Sequence, residues 1–543
     1  MSQKKPFLGK SHNSHFLCRM GGLLLALVVV LSAASPADAM MIARKISGPM
    51  VNLAWVSTYK FSPDSKYVVY AADADVDNKY ELFSVPAKGG EVKKLNITLE
   101  YGGRVNPEFF EITPDSQTVV YMVDRNGDGQ DEIYRAPITG GSNIPIVGGM
   151  SNGRGVRAMQ LSPVGDRVVY IANDDDVDKF ELYSVPIASG THVRLNADLI
   201  AGGDVHDFQI SPDGQRVVYD ADQEEDEQIE LYGNAIAGGA FVKLSESMVA
   251  QGDVLRYEIT ANSQKVVFIA DRLINGNVEV FSNLLLGGRL YKLSGDTIPP
   301  VGDHAWDFEL APNSLRVVYS VSRTDSGKKD LYSNYLIDLD PPVKLNGPNP
   351  VTLTHFAINP NSLRAVYLAD VTTPGVIELF SIPIGGGVSP EKLNTPPTGN
   401  GRVWDFLISP NSVGVAYRQS REALSGFELY LSATNGQGDP LELSALPAFG
   451  DVEVDYRFTP NSLGVVYVAD QQTDGVRELY LTMGAAPTRI SLPISNPEGD
   501  VNNFKISPNS QIAVYQVDQE VDNKFELYTA FDGYGIFIPV TVR

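Results

Sequence analysis

Ser211-Pro212-Asp213-Gly214-Gln215-Arg216-Val217-Val218-Tyr219 is the stretch that decides the fold. Its first four residues make a tight turn, because proline fixes φ at the second position and glycine accepts the left-handed conformation that follows. Val217-Val218-Tyr219 is then apolar on consecutive residues, so a strand built from it has to be covered on both faces. The phrase recurs every 48 to 51 residues, around Pro63, Pro114, Pro163, Pro212, Pro312, Pro360, Pro410, Pro460 and Pro508, with Ala261 in place of proline in the fifth copy. Ten copies of equal size imply stacked units, since one such unit cannot bury its apolar faces alone.

The fourth copy shows what one unit contains. Four apolar stretches, Val205 to Ser211, Gln215 to Ala221, Ile229 to Ile236 and Phe241 to Ser245, are separated by turn residues, among them Ala237-Gly238-Gly239. They are rich in Val, Ile, Tyr and Phe and have no 3.6-residue period, so each copy is expected to be a four-stranded antiparallel meander. Meanders repeated at this period predict an all-β protein, a β-propeller of ten blades in which each sheet lies between its neighbours. A single ring is favoured, with two five-bladed rings as the alternative. Ala43-Arg44-Lys45-Ile46-Ser47 resembles the fourth strands and is expected to pair with the last blade and lock the ring, with Ile536 to Val542 competing for that edge.

Phrases such as Ser211 to Tyr219 and Glu181-Leu182-Tyr183-Ser184-Val185-Pro186 resemble the TolB-type, WD-like propeller repeat, over residues 50 to 543. The resemblance implies fold more than function, because that family mixes periplasmic scaffolds with the propellers of peptidases and lyases. The likeness is to the propeller alone, so a part in the Tol-Pal envelope system is not implied. Propeller-bearing peptidases append a hydrolase domain, for which ten copies leave no residues.

Residues 1–39 read as an export signal: Lys4, Lys5, Lys10 and Arg19 precede an apolar run from Gly21 to Ala34, and Ala37-Asp38-Ala39 follows as a small-x-small cleavage site. The propeller is assigned to 40–543, and an exported protein, periplasmic or extracellular, is expected. A run from Gly21 to Ala34 is short for a membrane span, which takes about 20 residues; an uncleaved anchor is the alternative. The only cysteine, Cys18, lies in the signal, so the mature protein is expected to have neither disulfide nor thiolate chemistry. The signal carries four cations and one anion, so its removal moves the net charge from −23 to −26. Such acidity argues against a nucleic-acid partner, which demands clustered Lys and Arg, and favours cations and basic partners.

Acidic residues at alternating positions between the second and third strands are the first candidate site. The second copy reads Asp124, Asn126, Asp128-Gly129 and Glu132, an oxygen-rich hairpin with a glycine at the bend, suited to a hard cation such as Ca2+. It resembles the calcium-binding hairpins of integrin propellers. Copy one has Asp73, Asp75, Asp77 and Glu81; copy four has Asp222, Glu224, Asp226 and Glu230; copy ten has Asp518, Glu520, Asp522 and Glu526. Copies five to eight have lost the pattern, with Leu273, Pro374 and Leu424 where oxygen is needed. Structural Ca2+ is the cofactor expectation, against the plainer reading that acidic tips keep a propeller soluble.

The second candidate lies on the strand before the anchor turn, which is expected to line the axis. In His206-Asp207-Phe208, Trp306-Asp307-Phe308 and Trp404-Asp405-Phe406 alternation places the phenylalanine inward and Asp207, Asp307 and Asp405 on the opposite face; with His206, Trp306 and Trp404 beside them these are the candidate binding residues where the strands converge. Gly149-Met150-Ser151-Asn152-Gly153 matches a nucleophile elbow by letter alone, because its continuation runs into a strand where that motif needs a helix. The leading expectation is a non-enzymatic scaffold for a protein or glycan. The alternatives are a polysaccharide lyase or glycosidase using Asp207, Asp307 and Asp405, and a surface-layer or matrix protein.

Overall fold

The computed structural model describes residues 41–532 except 52–53, 151–152, 189, 296–297, 299–302, 325, 338–339, 396–400, 421–425, 447–449, 485 and 497. The export signal, Ile536 to Val542 and the central Ser151-Asn152 of the elbow-like stretch lie outside the described residues. What the valine-valine-tyrosine runs demand is what the molecule builds: ten four-stranded antiparallel sheets. Blade four is Val205–Ile210, Arg216–Ala221, Glu230–Ala235 and Val242–Lys243, so the fourth strand is shorter than its apolar stretch suggests. Among the described residues there is no helix.

Both faces of each second strand are covered, and by different neighbours. In blade one Val68, Tyr70 and Ala72 pack with Ile512 and Val514 of blade ten, whereas Val69 and Ala71 pack with Phe110, Val119 and Tyr121 of blade two. Within every blade the aromatic of the second strand stacks on that of the third, from Tyr70 on Phe83 to Tyr515 on Tyr528, with ring centroids 5.3 to 6.2 Å apart. Each stack adds about 1 kcal/mol beyond its buried area.

The ring is single and closed. Val267 and Ile269 of blade five pack on Phe308 of blade six, a contact that two five-bladed rings would not contain. Met41–Lys45 pairs antiparallel with Glu526–Asp532, Met41 opposite Asp532 and Lys45 opposite Tyr528, so the segment ahead of the first repeat supplies the missing fourth strand of blade ten. Lys45 Nζ reaches the buried Glu526 at 2.5 Å.

The anchor turns form a second closure. In eight turns the residue after Asp or Asn is a serine held at φ 58 to 66°. That conformation costs a non-glycine residue about 1 kcal/mol. Each of these serines accepts, through Oγ, the backbone N–H of the turn before it: Asn313 N to Ser362, Asn361 N to Ser412, Asn411 N to Ser462, Asn461 N to Ser510, Asn509 N to Ser65, and likewise Asp64 to Ser116, Asp213 to Ser263 and Asn262 to Ser314, at 2.9 to 3.2 Å. Gly165 and Gly214 take the same place in blades three and four, where no hydroxyl is available.

Candidate functional site

The acidic hairpins are built inward from their first carboxylate. Asp73 accepts from Trp55 N at 2.7 Å and Asn78 N at 2.9 Å; Asp124 accepts from Gly127 N and Gly129 N; Asp222 from Asp204 N and Glu227 N; Asp518 from Asp500 N and Asn523 N. All four are buried, and both oxygens of each are engaged by backbone. Asp271 and Asp370 do the same in blades five and seven, where the alternating pattern is gone. Except in blade two, where both bonds of Asp124 stay within the hairpin, the first acid therefore ties the hairpin to the segment leading into the blade's first strand.

In blades one, four and ten the closing glutamate is equally committed, to a cation on the fourth strand. Glu81 pairs with Lys94 at 2.8 Å, Glu230 with Lys243 at 2.6 Å, and Glu526 with Lys45. Glu132 accepts from Gly149 N at 2.6 Å, and its other oxygen stands 3.9 Å from Arg125 Nε. Between these ends the acids are exposed: Asp75 and Glu224 reach Lys94 and Lys243 at 2.8 Å, Asn126 donates to Asp128, Asn523 donates to Asp522, and Asp77, Asp226 and Glu520 face solvent. Among the described residues no three His, Cys, Asp or Glu side chains gather into a group able to hold a metal ion. His206, His304 and His355 are likewise separate: His206 Nε2 lies 3.3 Å from Asp222, His304 leans on Trp306 and His355 on Phe406.

The first strands do line the axis side by side, and each clasps the next. Lys60 Nζ donates to Phe110 O, Leu161 N to Glu111, Ile358 N to Glu309, and Lys505 Nζ to Tyr59 O across the closure. Phe208, Phe308 and Phe406 point into the blades and are buried, which leaves the predicted residues on the channel wall. Trp306 is 61% and Trp404 42% exposed. The Lys329 ammonium stands 5.3 Å from the Trp306 ring and the Arg402 guanidinium 3.5 Å from that of Trp404.

The channel carboxylates have partners that the sequence reading missed. Asp307 is ion-paired with Arg256 of blade five. Asp405 takes Arg418 Nε at 3.0 Å and the hydroxyl of Tyr456, from blade nine, at 2.7 Å. Asp207 faces a second carboxylate, Asp220, directly across the strand pair, and its backbone N–H donates to Asp220 Oδ1 at 2.8 Å. Burial, with the Asp207 charge adding to it, pushes the Asp220 carboxyl up to about 6. Arg418 and Asp220 occupy the position after the core tyrosine, where most copies carry an apolar residue such as Ala71, Ile171 or Leu368. A polar residue interrupting that run was the available signal.

The fold and this channel define a class: a ten-bladed β-propeller with an aromatic and carboxylate wall. No family profile matches the chain, and no curated protein does. Among solved structures it is similar to a TolB-type protein of Agrobacterium tumefaciens, at 18% identity over 52% of this chain and 90% of that one, with a TM-score of 0.29. It is also similar to a eukaryotic initiation factor, at 11% identity over 77% and 96% of the two chains with a TM-score of 0.45, and to dipeptidyl peptidase 4 of Porphyromonas gingivalis, at 12% over 78% and 65% with a TM-score of 0.46. These are likenesses of fold.

Proposed function

We propose that the chain is an exported binding scaffold without catalytic activity, and that its channel mouth over blades six to eight takes a glycan. The observation that supports this most is the pair Trp306 and Trp404, exposed at the same register position on alternate blades, each backed by a cation and followed by a carboxylate already neutralised by an arginine. Flat aromatic faces beside polar donors suit the apolar face and hydroxyl rim of a sugar ring. Trp55, Trp306 and Trp404 are all the tryptophans of the chain and all are exposed, so intrinsic fluorescence reads the site directly. Titration with neutral and acidic oligosaccharides is expected to quench it, and Trp404→Ala is expected to weaken binding at least tenfold; no quenching by any oligosaccharide would sink the reading. Cell fractionation tests the export.

A second reading, a polysaccharide-cleaving enzyme, is favoured by the Asp207 and Asp220 pair alone, because two carboxyls facing each other, with Asp220 pushed up by burial, are the kind of pair such acid–base chemistry uses. Its test is the appearance of new chain ends from an acidic polysaccharide, abolished by Asp220→Asn.

A further inference from the structure

The anchor-turn face carries a feature that the channel reading does not use. The residue after the left-handed serine is exposed in every blade of one arc and apolar there: Leu315, Leu363, Val413 and Leu463, at 58, 64, 64 and 50% exposure in blades six to nine. The other six copies place Lys66, Gln117, Asp166, Gln215, Gln264 and Gln511 at that position. Nothing in the turn demands the change, since the same backbone serves both sets.

The arc also lacks the turn carboxylate, as do the blades on either side of it, which carry Asn262 and Asn509. Asn313, Asn361, Asn411 and Asn461 stand where blades one, two and four have Asp64, Asp115 and Asp213. The exchange is silent for the turn: Asn361 Oδ1 accepts Leu363 N at 3.0 Å as Asp64 Oδ1 accepts Lys66 N at 3.1 Å. The apolar tips are also held rigidly. Asn313, Asn361 and Asn411 bond to the serine of the following turn at 2.9 to 3.0 Å, and the carbonyls of Leu315, Leu363 and Val413 accept Leu336 N, Ile384 N and Thr434 N from the blade's other turn on this face. Met483, at 50% exposure, belongs to such a neighbouring hairpin and lies against Gly464, beside Leu463.

We propose that this crescent, on the face opposite the acidic hairpins, docks a polypeptide that presents apolar anchors flanked by Lys or Arg. Apolar tips fixed at equal intervals lose little entropy on binding, and a contiguous exposed apolar patch on a soluble protein marks an interaction site. Charge selects the occupant. The chain carries −23 overall and, on the same face, turn acids in blades one to four, Asp64, Asp115, Asp166 and Asp213, so it repels a second copy and an anionic membrane and attracts basic flanks.

The test compares the wild-type protein with L315Q/L363Q/V413Q/L463Q, which installs the glutamine that four other blades carry and is therefore expected to keep its thermal midpoint. The probe is a synthetic amphipathic helix of Leu and Lys, read by fluorescence anisotropy, with a Leu and Glu analogue as control. Wild type is expected to bind the basic helix and not the acidic one, the quadruple variant to bind at least tenfold more weakly, and Trp404→Ala to bind as wild type, which separates this face from the glycan site. Equal binding by the quadruple variant would overturn the proposal. So would a wild-type protein that self-associates in sedimentation or floats with phosphatidylcholine vesicles through these four residues in place of binding the helix.

Discussion

Ser362 carries two opposing energies, a left-handed backbone and a hydroxyl that accepts Asn313 N at 2.9 Å. Ser362→Ala keeps the strain and loses the bond, so it is expected to destabilise by about 1 kcal/mol in denaturant unfolding. Ser362→Gly loses the bond and releases the strain, so it is expected to be near neutral; an alanine variant as stable as the glycine one would refute this account. Asp220 makes a pH-dependent contribution of the opposite sign to that of a salt-bridged acid. Its folded pKa, about 6, lies above the unfolded one, so its own contribution is fully present below about pH 4 and is lost as pH rises through 6. Asp220→Asn is therefore expected to match wild type near pH 4 and to exceed it by about 2 kcal/mol at pH 8. These residues also mark where the sequence was hard to read. The channel position of Asp405 followed from strand alternation, whereas its partners Arg418 and Tyr456 lie on another strand and another blade, and that adjacency exists only after the ring has formed. Tyr59 and Tyr456 stand where six blades have phenylalanine, and each finds an acceptor, Asn503 or Asp405, on the blade before.

The acidic hairpins of blades one, four and ten are loops tied at both ends, by an aspartate on backbone N–H groups and by a glutamate on the cation of the fourth strand. Strand and turn positions were legible because valine-tyrosine runs and Ser-Pro-Asp turns act locally. The use of the carboxylates was not, because a capped loop and a cation loop share a composition. A site with a Kd of about 10⁻⁴ M would add about 1.4 kcal/mol at 1 mM calcium. The expected result is no change in melting midpoint between calcium and chelator, since Asp73, Asp124, Asp222 and Asp518 already have both oxygens bonded; a clear rise would mean that the loops re-form around the ion. Lys243→Met is expected to cost about 2 kcal/mol by leaving the buried Glu230 without its cation, read by thermal unfolding.

Ten equal repeats predicted one ring, and the closing pair is the part of the chain with the longest reach, Met41–Lys45 against Glu526–Asp532. Deleting residues 41–45 is expected to leave Glu526 with only Lys524, at 3.3 Å, as its ion-pair partner, and to make blade ten the first point of cleavage in limited proteolysis; an unchanged digestion pattern would show that the closure contributes little. Because the two partners flank the repeat array, the circle cannot be completed until the last repeat has been synthesised. A chain cut short before Glu526 would keep an unpaired edge and a bare apolar flank on view to proteases and chaperones. Closing the array with a strand from ahead of its first repeat thus makes a full set of repeats a condition of survival, a form of quality inspection written into the order of the strands.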